Sequence, residues 1–152
     1  MPAHRQDLVA AAIIYRRMPK GCEILSARRT EPEALRGGWE LPGGRVEDDK
    51  DVDSAAAAIR EVEEELGCDV SIVEMLPGPL SDGSWPLAHN KRIHVFICTI
   101  EKGEPYIREQ HDAIAWIQLD AAATAVPWLQ DDIPIVEAAV NRIRILESSR
   151  NP

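Results

Sequence analysis

The segment Arg60-Glu61-Val62-Glu63-Glu64-Glu65-Leu66-Gly67 holds four glutamates within five positions. It ends the strongest helical pattern in the chain, which runs from Ser54 to Leu66. Asp53 or Ser54 can cap this helix, four alanines favour it, and Gly67 can end it. The segment is therefore predicted to form the last turns of a helix.

The carboxylates of Glu61, Glu64 and Glu65 fall on one face of this predicted helix. At 100° of rotation per residue, Glu64 lies at about −60° and Glu65 at about 40° from Glu61. Another stripe is apolar and is predicted to be buried, and it contains Ile59, Val62 and Leu66. The helix can thus pack on a core while it presents three acids along its other side.

Like charges at this spacing are unfavourable unless a cation lies among them. Crowding raises the pKa of at least one carboxyl group and costs stability. A hard divalent ion such as Mg²⁺ prefers an oxygen-rich cluster of this kind. Arg60, one turn before Glu64, is placed to form an ion pair with it. Without further context the same run also fits a solvated acidic face, so the surrounding sequence has to decide.

The rest of the chain predicts a single domain that mixes helices and strands. Strands are predicted at residues 8–15, 22–28, 69–75, 92–100 and 113–119, the first two as a hairpin. A closing helix is predicted over 133–146, and Pro134 fits its first turn. Residues 76–86 are rich in proline and glycine and are predicted to form a long loop. Because no repeat or linker interrupts the chain, residues 1–152 are expected to form one domain.

Composition excludes several classes of protein. Of the 152 residues, 45% are hydrophobic and 28% are charged, which is neither a disordered nor a membrane composition. The longest apolar run, 8–15, is too short to span a bilayer. The net charge of −9 argues against a nucleic-acid polymer as partner, because an acidic surface repels its phosphates. The first residues lack the layout of a secretory signal, so a cytoplasmic protein is expected, either a monomer or a homodimer.

The glycine-rich stretch before the helix adds the missing context. Gly43-Gly44, a polar stretch and residues 60–68 resemble the Nudix hydrolase signature: a glycine, five residues, a glutamate, seven residues, then Arg-Glu-apolar-x-Glu-Glu-x-Gly-apolar. The second half matches at every defined position, and residues 39–42 resemble the usual lead-in. The order of strands is similar to the MutT-type and CTP pyrophosphohydrolase-like branch. The resemblance implies an α/β (α+β) fold, an α/β/α sandwich with a mixed β-sheet between helices.

The chain departs from this signature in one place. Sixteen positions lead from Gly44 to Arg60, where the family pattern has fourteen. The signature's first glutamate falls on Lys50 when counted from the glycine, and on Val52 when counted back from the arginine. In the family that glutamate mostly supports the geometry of the loop and helix. We hypothesise that a nearby aspartate, Asp51 or Asp53, replaces it.

The resemblance also implies a reaction and a set of site residues. The family hydrolyses a nucleoside diphosphate linked to another group, with Mg²⁺ as cofactor and Mn²⁺ as a possible substitute. By motif position, the metal ligands are Glu61, Glu64, Glu65 and the Gly43 carbonyl, and Arg60 belongs to the same catalytic segment. Glu61 is the candidate for the general base or for orienting the water.

Two residues outside the signature are further candidates. Arg28 ends the second predicted strand, where the similar branch has an arginine that contacts substrate phosphates; a surface arginine is the alternative. Glu109 is the candidate for an additional acidic metal ligand before the last strand. Its alternative role is that of a solvated loop glutamate.

The stretch 127–134 resembles the base-recognition segment of the same branch. Asp132 takes the place where an amide or acid reads the base edge, and an aspartate accepts hydrogen bonds from an amino group such as that of cytosine. If protonated, it can instead meet a carbonyl, and it or Asp131 can also cap the following helix. Phe96 and Trp128 are candidates for stacking on the base, with packing in the core as the alternative for each.

These features predict a Mg²⁺-dependent nucleoside triphosphate pyrophosphohydrolase that releases a monophosphate and pyrophosphate. The expected substrate is CTP, dCTP or a modified nucleotide, and oxidised guanine triphosphate (8-oxo-dGTP) is the alternative. A Nudix-fold binding or regulatory module with weak catalysis is a further alternative, which the longer loop and the missing glutamate favour. The intact segment 60–67 favours the enzyme, because a binding module has no need for three repelling acids.

Overall fold

The computed structural model describes residues 7–108 and 110–150. Its strands are β1 (Leu8–Met18), β2 (Gly21–Arg29), β3 (Trp39–Glu40), β4 (Gly43–Arg45), β5 (Asp69–Leu76), β6 (Trp85–Pro86), β7 (Arg92–Lys102) and β8 (His111–Gln118). Its helices are α1 (Ser54–Leu66), α2 (Ala122–Ala125) and α3 (Ile133–Ser148). The five predicted strands and both predicted helices are confirmed, with ends that differ by a few residues.

Strand β1 lies at the centre of a mixed sheet. It runs parallel to β7 and antiparallel to β2 and β4. The remaining strands pair antiparallel, β5 and β6 with β7, and β3 and β8 with β2. The β1–β2 hairpin turns through Pro19 and Lys20, and Gly21, which follows the turn, has a φ of 113° that favours glycine. This topology places the short glycine strand β4 directly beside the middle of the sheet.

The two faces of β1 bury different layers of the protein. Ala10, Ala12 and Ile14 point to one face and pack in the cluster that contains the buried side of α1. The alternate residues Ala11, Ile13 and Tyr15 point to the other face, in the cluster that contains α3. This period of two is that of a strand covered on both sides. The predicted α/β/α sandwich is therefore confirmed.

Helix α1 begins and ends where its sequence predicts. The Asp53 side chain accepts a hydrogen bond from the Ala56 amide at 2.8 Å, and Gly67 closes the helix in the left-handed region with φ of 71°. Val62 and Leu66 are fully buried, as predicted. The prediction for Ile59 is wrong: its side chain is 36% exposed, and the alanines of the first turns take its place against the sheet.

Several short elements were not predicted. Strand β4 forms within a glycine-rich stretch, and β6 forms inside the segment predicted as a long loop. Both are very short and owe their pairing to a neighbouring long strand, so local pattern carries little signal for them. Within residues 7–108 and 110–150, none of the helices has the length and apolar character needed to cross a bilayer.

Candidate functional site

The acidic face of α1 lies against the glycine strand β4. The Gly43 amide donates a hydrogen bond to Glu65 Oε2 at 3.2 Å. A β-carbon on Gly44 would overlap the Glu61 carboxylate, and one on Gly43 would overlap the backbone of Ala10 and Ala11. Gly43 therefore needs glycine, because the backbone it would meet cannot move aside, whereas a side chain at Gly44 would displace the Glu61 carboxylate. The two glycines and the acidic helix form one compact site.

Two of the three acids are held in an environment that resists their charge. Burial raises the pKa of Glu65 to about 8, with Glu40 and Glu61 adding repulsion. Burial also raises the pKa of Glu61, although the nearby guanidinium of Arg60 opposes this effect. The predicted rise in the pKa of at least one acid is thus present, with burial as its first cause and like charge as its second.

Arg60 connects the acids to the loop before the helix. Its Nη1 donates to Glu61 Oε1 at 3.0 Å and to Glu64 Oε2 at 3.1 Å, so the predicted ion pair with Glu64 forms. Its Nε and Nη2 each lie 2.8 Å from one carboxylate oxygen of Asp51. This two-point pairing matches the planar fork of a guanidinium to a carboxylate and fixes the arginine in orientation. Arg60 therefore joins the acidic face to the loop before the helix.

The structure separates the two aspartates that were candidates for the missing glutamate. The Asp51 side chain is 1% exposed and forms an ion pair with Arg60. It also accepts a hydrogen bond from the Glu47 amide at 2.8 Å. Asp53 instead caps the helix. The longer loop thus brings Asp51, and not Asp53, into the contact that links loop and helix.

The carboxylate-rich site fits a divalent cation in its chemistry. Glu61 and Glu65 are confined and costly to ionise, and a dication would relieve this cost. Within residues 7–108 and 110–150, no group of three His, Cys, Asp or Glu side chains converges closely enough to hold a metal ion. Glu64 is half-exposed and pairs with Arg60. Glu65 lies beside Gly43, and Glu61 lies beside Gly44.

A cavity of about 540 Å³ opens from the glycine strand. Gly43 and Gly44 line one part of it and Asp132 lines another. Asp132 is 9% exposed, and its Oδ2 accepts a hydrogen bond from the Leu41 amide at 3.2 Å. Burial, with repulsion from Glu40 and Asp131, raises the pKa of Asp132 to about 7. Asp132 stands at the N-cap position of α3, but its side chain makes no capping hydrogen bond there.

The arginine in this cavity is Arg29, not the predicted Arg28. Arg29 lines the cavity, and its Nη1 donates to Glu40 Oε1 at 3.0 Å. Arg28 is exposed at the sheet surface, where its Nε pairs with Asp112 at 2.7 Å. The register between β2 and β8 shifts between these two arginines, which changes the direction of the chain at this point. Strand alternation read from sequence alone does not anticipate such a bulge.

The two aromatic candidates for base stacking are core residues. Phe96 is 6% exposed and packs on the α1 face of the sheet, away from the cavity that Asp132 lines. Trp128 is also 6% exposed, packs with the α3 cluster and donates its indole N–H to the Ala122 carbonyl at 2.7 Å. Packing in the core, the alternative role for both, accounts for these positions. Neither ring lines the cavity.

Glu109, the candidate additional ligand, lies outside the described residues. The neighbouring positions Arg108, Gln110 and His111 line a second cavity of about 410 Å³ together with Glu64 and Glu65. The loop between β7 and β8 thus borders the acidic face of α1.

The sequence did not single out Glu40 and His111. His111 is buried, its Nε2 lies 2.9 Å from Glu40 Oε2, and Glu40 also pairs with Arg29. This pairing joins β2, β3 and β8 near Glu65. The charge of Glu40 helps to raise the pKa of Glu65. Glu40 lies within residues 39–42, which resemble the stretch before the family signature, and this resemblance could have indicated it. For His111, a loop histidine in sequence, there was none.

Comparisons with known proteins agree with this geometry. The sequence profile of the NUDIX domain matches residues 6–138. The chain is 33% identical over 132 residues to the CTP pyrophosphohydrolase of Escherichia coli, which covers 86% of this chain and 88% of that protein. It is also 33% identical over 127 residues to the "Putative 8-oxo-dGTP diphosphatase 2" of Mycobacterium tuberculosis, covering 84% and 82%. The solution structure of the E. coli ORF135 protein matches with a TM-score of 0.67 and 29% identity, over 95% of this chain and 92% of that one.

The fold and the site together define a hydrolase of small nucleotides, a class that uses divalent metal ions. The chain belongs to the NUDIX domain family.

Proposed function

We propose that this protein is a Mg²⁺-dependent nucleoside triphosphate pyrophosphohydrolase that releases a monophosphate and pyrophosphate. CTP or dCTP is the proposed substrate. The observation that carries the proposal is that one cavity is lined by the glycine strand beside the acidic helix and by a buried acid, Asp132. A nucleotide has the same two ends, a charged phosphate chain and a base with hydrogen-bonding edges.

The residues at the phosphate end have separate roles in this proposal. Glu61, Glu64, Glu65 and the Gly43 carbonyl would hold Mg²⁺, which polarises phosphate oxygens and stabilises the developing charge. Glu61 also orients the attacking water or takes its proton. Arg29 replaces Arg28 as the proposed contact to the phosphates, because Arg29 lines the cavity. Glu109, in the loop between β7 and β8, is still proposed as a further ligand of the metal.

Asp132 supports two base identities, according to its charge. As a carboxylate it accepts a hydrogen bond from the exocyclic amino group of cytosine. As a carboxylic acid it donates to a carbonyl, such as that of oxidised guanine. The raised pKa of about 7 makes both forms available near neutral pH. This observation favours 8-oxo-dGTP as the second candidate substrate, and relatives named for each activity support both.

The charge of Asp132 predicts a base preference that changes with pH. Because its pKa is raised to about 7, the acid is mostly protonated at pH 6 and mostly ionised at pH 8. We expect the ratio of kcat/KM for CTP to that for 8-oxo-dGTP to rise by about a hundredfold over this interval, because the ionised fraction rises about tenfold while the protonated fraction falls about tenfold. Effects of pH on the metal and the phosphates largely cancel in the ratio, since both substrates carry a triphosphate.

Asp132→Asn is the matched control for this titration. An amide can donate and accept at every pH, so the ratio should stay flat between pH 6 and 8 in the variant. A flat ratio in the wild-type protein, or an unchanged slope in the variant, would remove Asp132 from base recognition.

The activity itself is tested by pyrophosphate release from a panel of natural and oxidised nucleotides, each with Mg²⁺ and with a chelator. We expect release from CTP, dCTP or 8-oxo-dGTP that depends on Mg²⁺, with the monophosphate as the other product. Release of phosphate in place of pyrophosphate would contradict the proposed bond. No release from any nucleotide would favour the binding module.

Two features argue against a binding module without catalysis. Glu61 and Glu65 keep carboxyl groups in a setting that opposes their ionisation, which is a cost without use unless a cation binds. Asp51 provides a contact between loop and helix, so the missing signature glutamate no longer favours the binding module.

The net charge of −9 supports the further proposal that nucleic-acid polymers do not bind. A cytoplasmic location and a monomeric or homodimeric state stay predictions from the sequence.

A further inference from the structure

The wall of the 540 Å³ cavity includes a tight turn with an unusual backbone. His89 and Asn90 are consecutive residues with φ of 62° and 59°, in the left-handed region that side chains other than glycine rarely adopt. The Lys91 amide donates to the Ala88 carbonyl at 3.4 Å, and the Leu87 amide donates to the Lys91 carbonyl at 2.9 Å. The turn joins the antiparallel strands β6 and β7, and tight hairpin turns need positive φ at successive positions, which Asn and His accept more readily than most side chains do.

A side chain from the base-recognition segment holds this turn. Asp131 Oδ2 accepts a hydrogen bond from the Ala88 amide at 3.0 Å. Asp131 directly precedes Asp132, so the turn and the proposed base-reading acid are fastened to the same short stretch of chain. The position of His89 is therefore tied to the position of Asp132.

The composition of the cavity wall indicates what the turn provides. Leu35, Leu87, Ile93 and Leu129 make much of the wall apolar. Among the described residues that line the cavity, His89 has the only aromatic ring. Phe96 and Trp128, the candidates for base stacking whose alternative role was packing in the core, are buried elsewhere. A planar base in this cavity thus has one ring available to pack against.

We propose that His89 is a substrate-binding residue whose ring packs against the nucleobase while Asp132 reads the base edge. The turn, held by Asp131, places His89 in the wall of the cavity. Packing of a base on an aromatic ring tolerates different bases, which suits a cavity whose selectivity comes from Asp132. This inference rests on the proposed function, since it takes the cavity as the nucleotide site.

His89→Gly and Asn90→Gly form a matched pair of variants. Both replace a residue of positive φ by glycine, which accepts the left-handed conformation, so neither should unfold the turn. Only the first removes the ring. We expect His89→Gly to weaken binding of CMP and GMP by about tenfold in calorimetric titration, as the loss of one base–ring contact predicts. Asn90→Gly and His89→Phe should bind both monophosphates within about threefold of wild type.

Pyrophosphate with Mg²⁺ is the internal reference, because it occupies the phosphate end alone. Its affinity should be the same in all four proteins. Unchanged CMP and GMP binding in His89→Gly would overturn the proposal. So would an equal loss in Asn90→Gly, a tenfold loss in His89→Phe, or a parallel loss of pyrophosphate binding. These titrations do not require turnover. If the wild-type protein released no pyrophosphate, the proposed hydrolysis would fail, and that result is separate from the titrations.

Discussion

Replacing Glu65 with Gln is expected to reduce turnover by about a hundredfold to a thousandfold and to make the metal-free protein more stable at high pH. The loss follows from removing a carboxylate ligand, since a bound metal supplies several kcal/mol of charge stabilisation in the transition state. The gain follows from the pKa of Glu65, which burial and the neighbouring Glu40 raise from 4.5 to about 8. One substitution thus moves activity and stability in opposite directions.

The pH window of the stability effect follows from the sign of this shift. Between about pH 4.5 and pH 8 the folded wild-type protein keeps a proton that the unfolded chain has lost. Its free energy of unfolding therefore falls as the pH rises through that window and stays low above it. Glutamine cannot ionise and is not subject to this fall. With chelator present, Glu65→Gln should exceed wild type by about 2–4 kcal/mol at pH 9 and by little at pH 4.5.

Glu63→Gln is the control from the same helix. Glu63 is exposed and lines neither cavity, so its substitution should leave both turnover and the pH dependence of stability near wild type. Denaturant unfolding at pH 4.5 and pH 9 and turnover with Mg²⁺ are the two measurements. A Glu65→Gln protein with normal turnover would remove Glu65 from the metal site. One without the gain at pH 9 would show that Glu65 ionises freely in the fold.

Replacing Asp51 with Ala is expected to destabilise the protein by about 3 kcal/mol and to reduce turnover by at least tenfold. Breaking a buried ion pair typically costs about 3–5 kcal/mol, and the lower figure applies because Glu61 and Glu64 still pair with Arg60. Without its contacts to Arg60 and to the Glu47 amide, the loop between the glycine strand β4 and helix α1 is no longer held in place. Denaturant unfolding and turnover with Mg²⁺ measure the two effects.

Asp53→Ala distinguishes this role from ordinary helix capping. Asp53 lies two positions later and caps α1, so its loss should cost about 1 kcal/mol and leave turnover nearly unchanged. Equal effects of the two substitutions on turnover would show that Asp51 has no special role in placing the acidic face.

Helix α1 shows how much of the fold local sequence determines. Its capping aspartate, its alanines, its apolar stripe and its terminal glycine all act within a few residues, and its ends were predicted as Ser54 and Leu66. The long strands were also predicted, because their apolar runs are continuous. Ile59 was misplaced because a helical wheel does not tell how wide the buried stripe is. The sheet approaches this helix closely enough that alanines fill the contact.

The parts of the site that escaped prediction depend on distant contacts. The sequence left open whether Asp132 reads a base or caps a helix. Its carboxylate accepts a hydrogen bond from the Leu41 amide, which is far away in sequence. Arg29 lines the cavity and Arg28 does not, and the strand register shifts between them in a way that has no local signature. Sequence placed Asp51 and Asp53 side by side as candidates. The path of the longer loop decides between them.

The proposed site is tested most directly by a crystal structure with Mn²⁺ and a non-hydrolysable CTP analogue, with the metal located by its anomalous scattering. We expect Mn²⁺ bound by Glu65 and Glu61 beside Gly43, the triphosphate on the metal, and the base edge at Asp132. A metal held elsewhere, or a base outside the cavity that Asp132 lines, would contradict the proposed site.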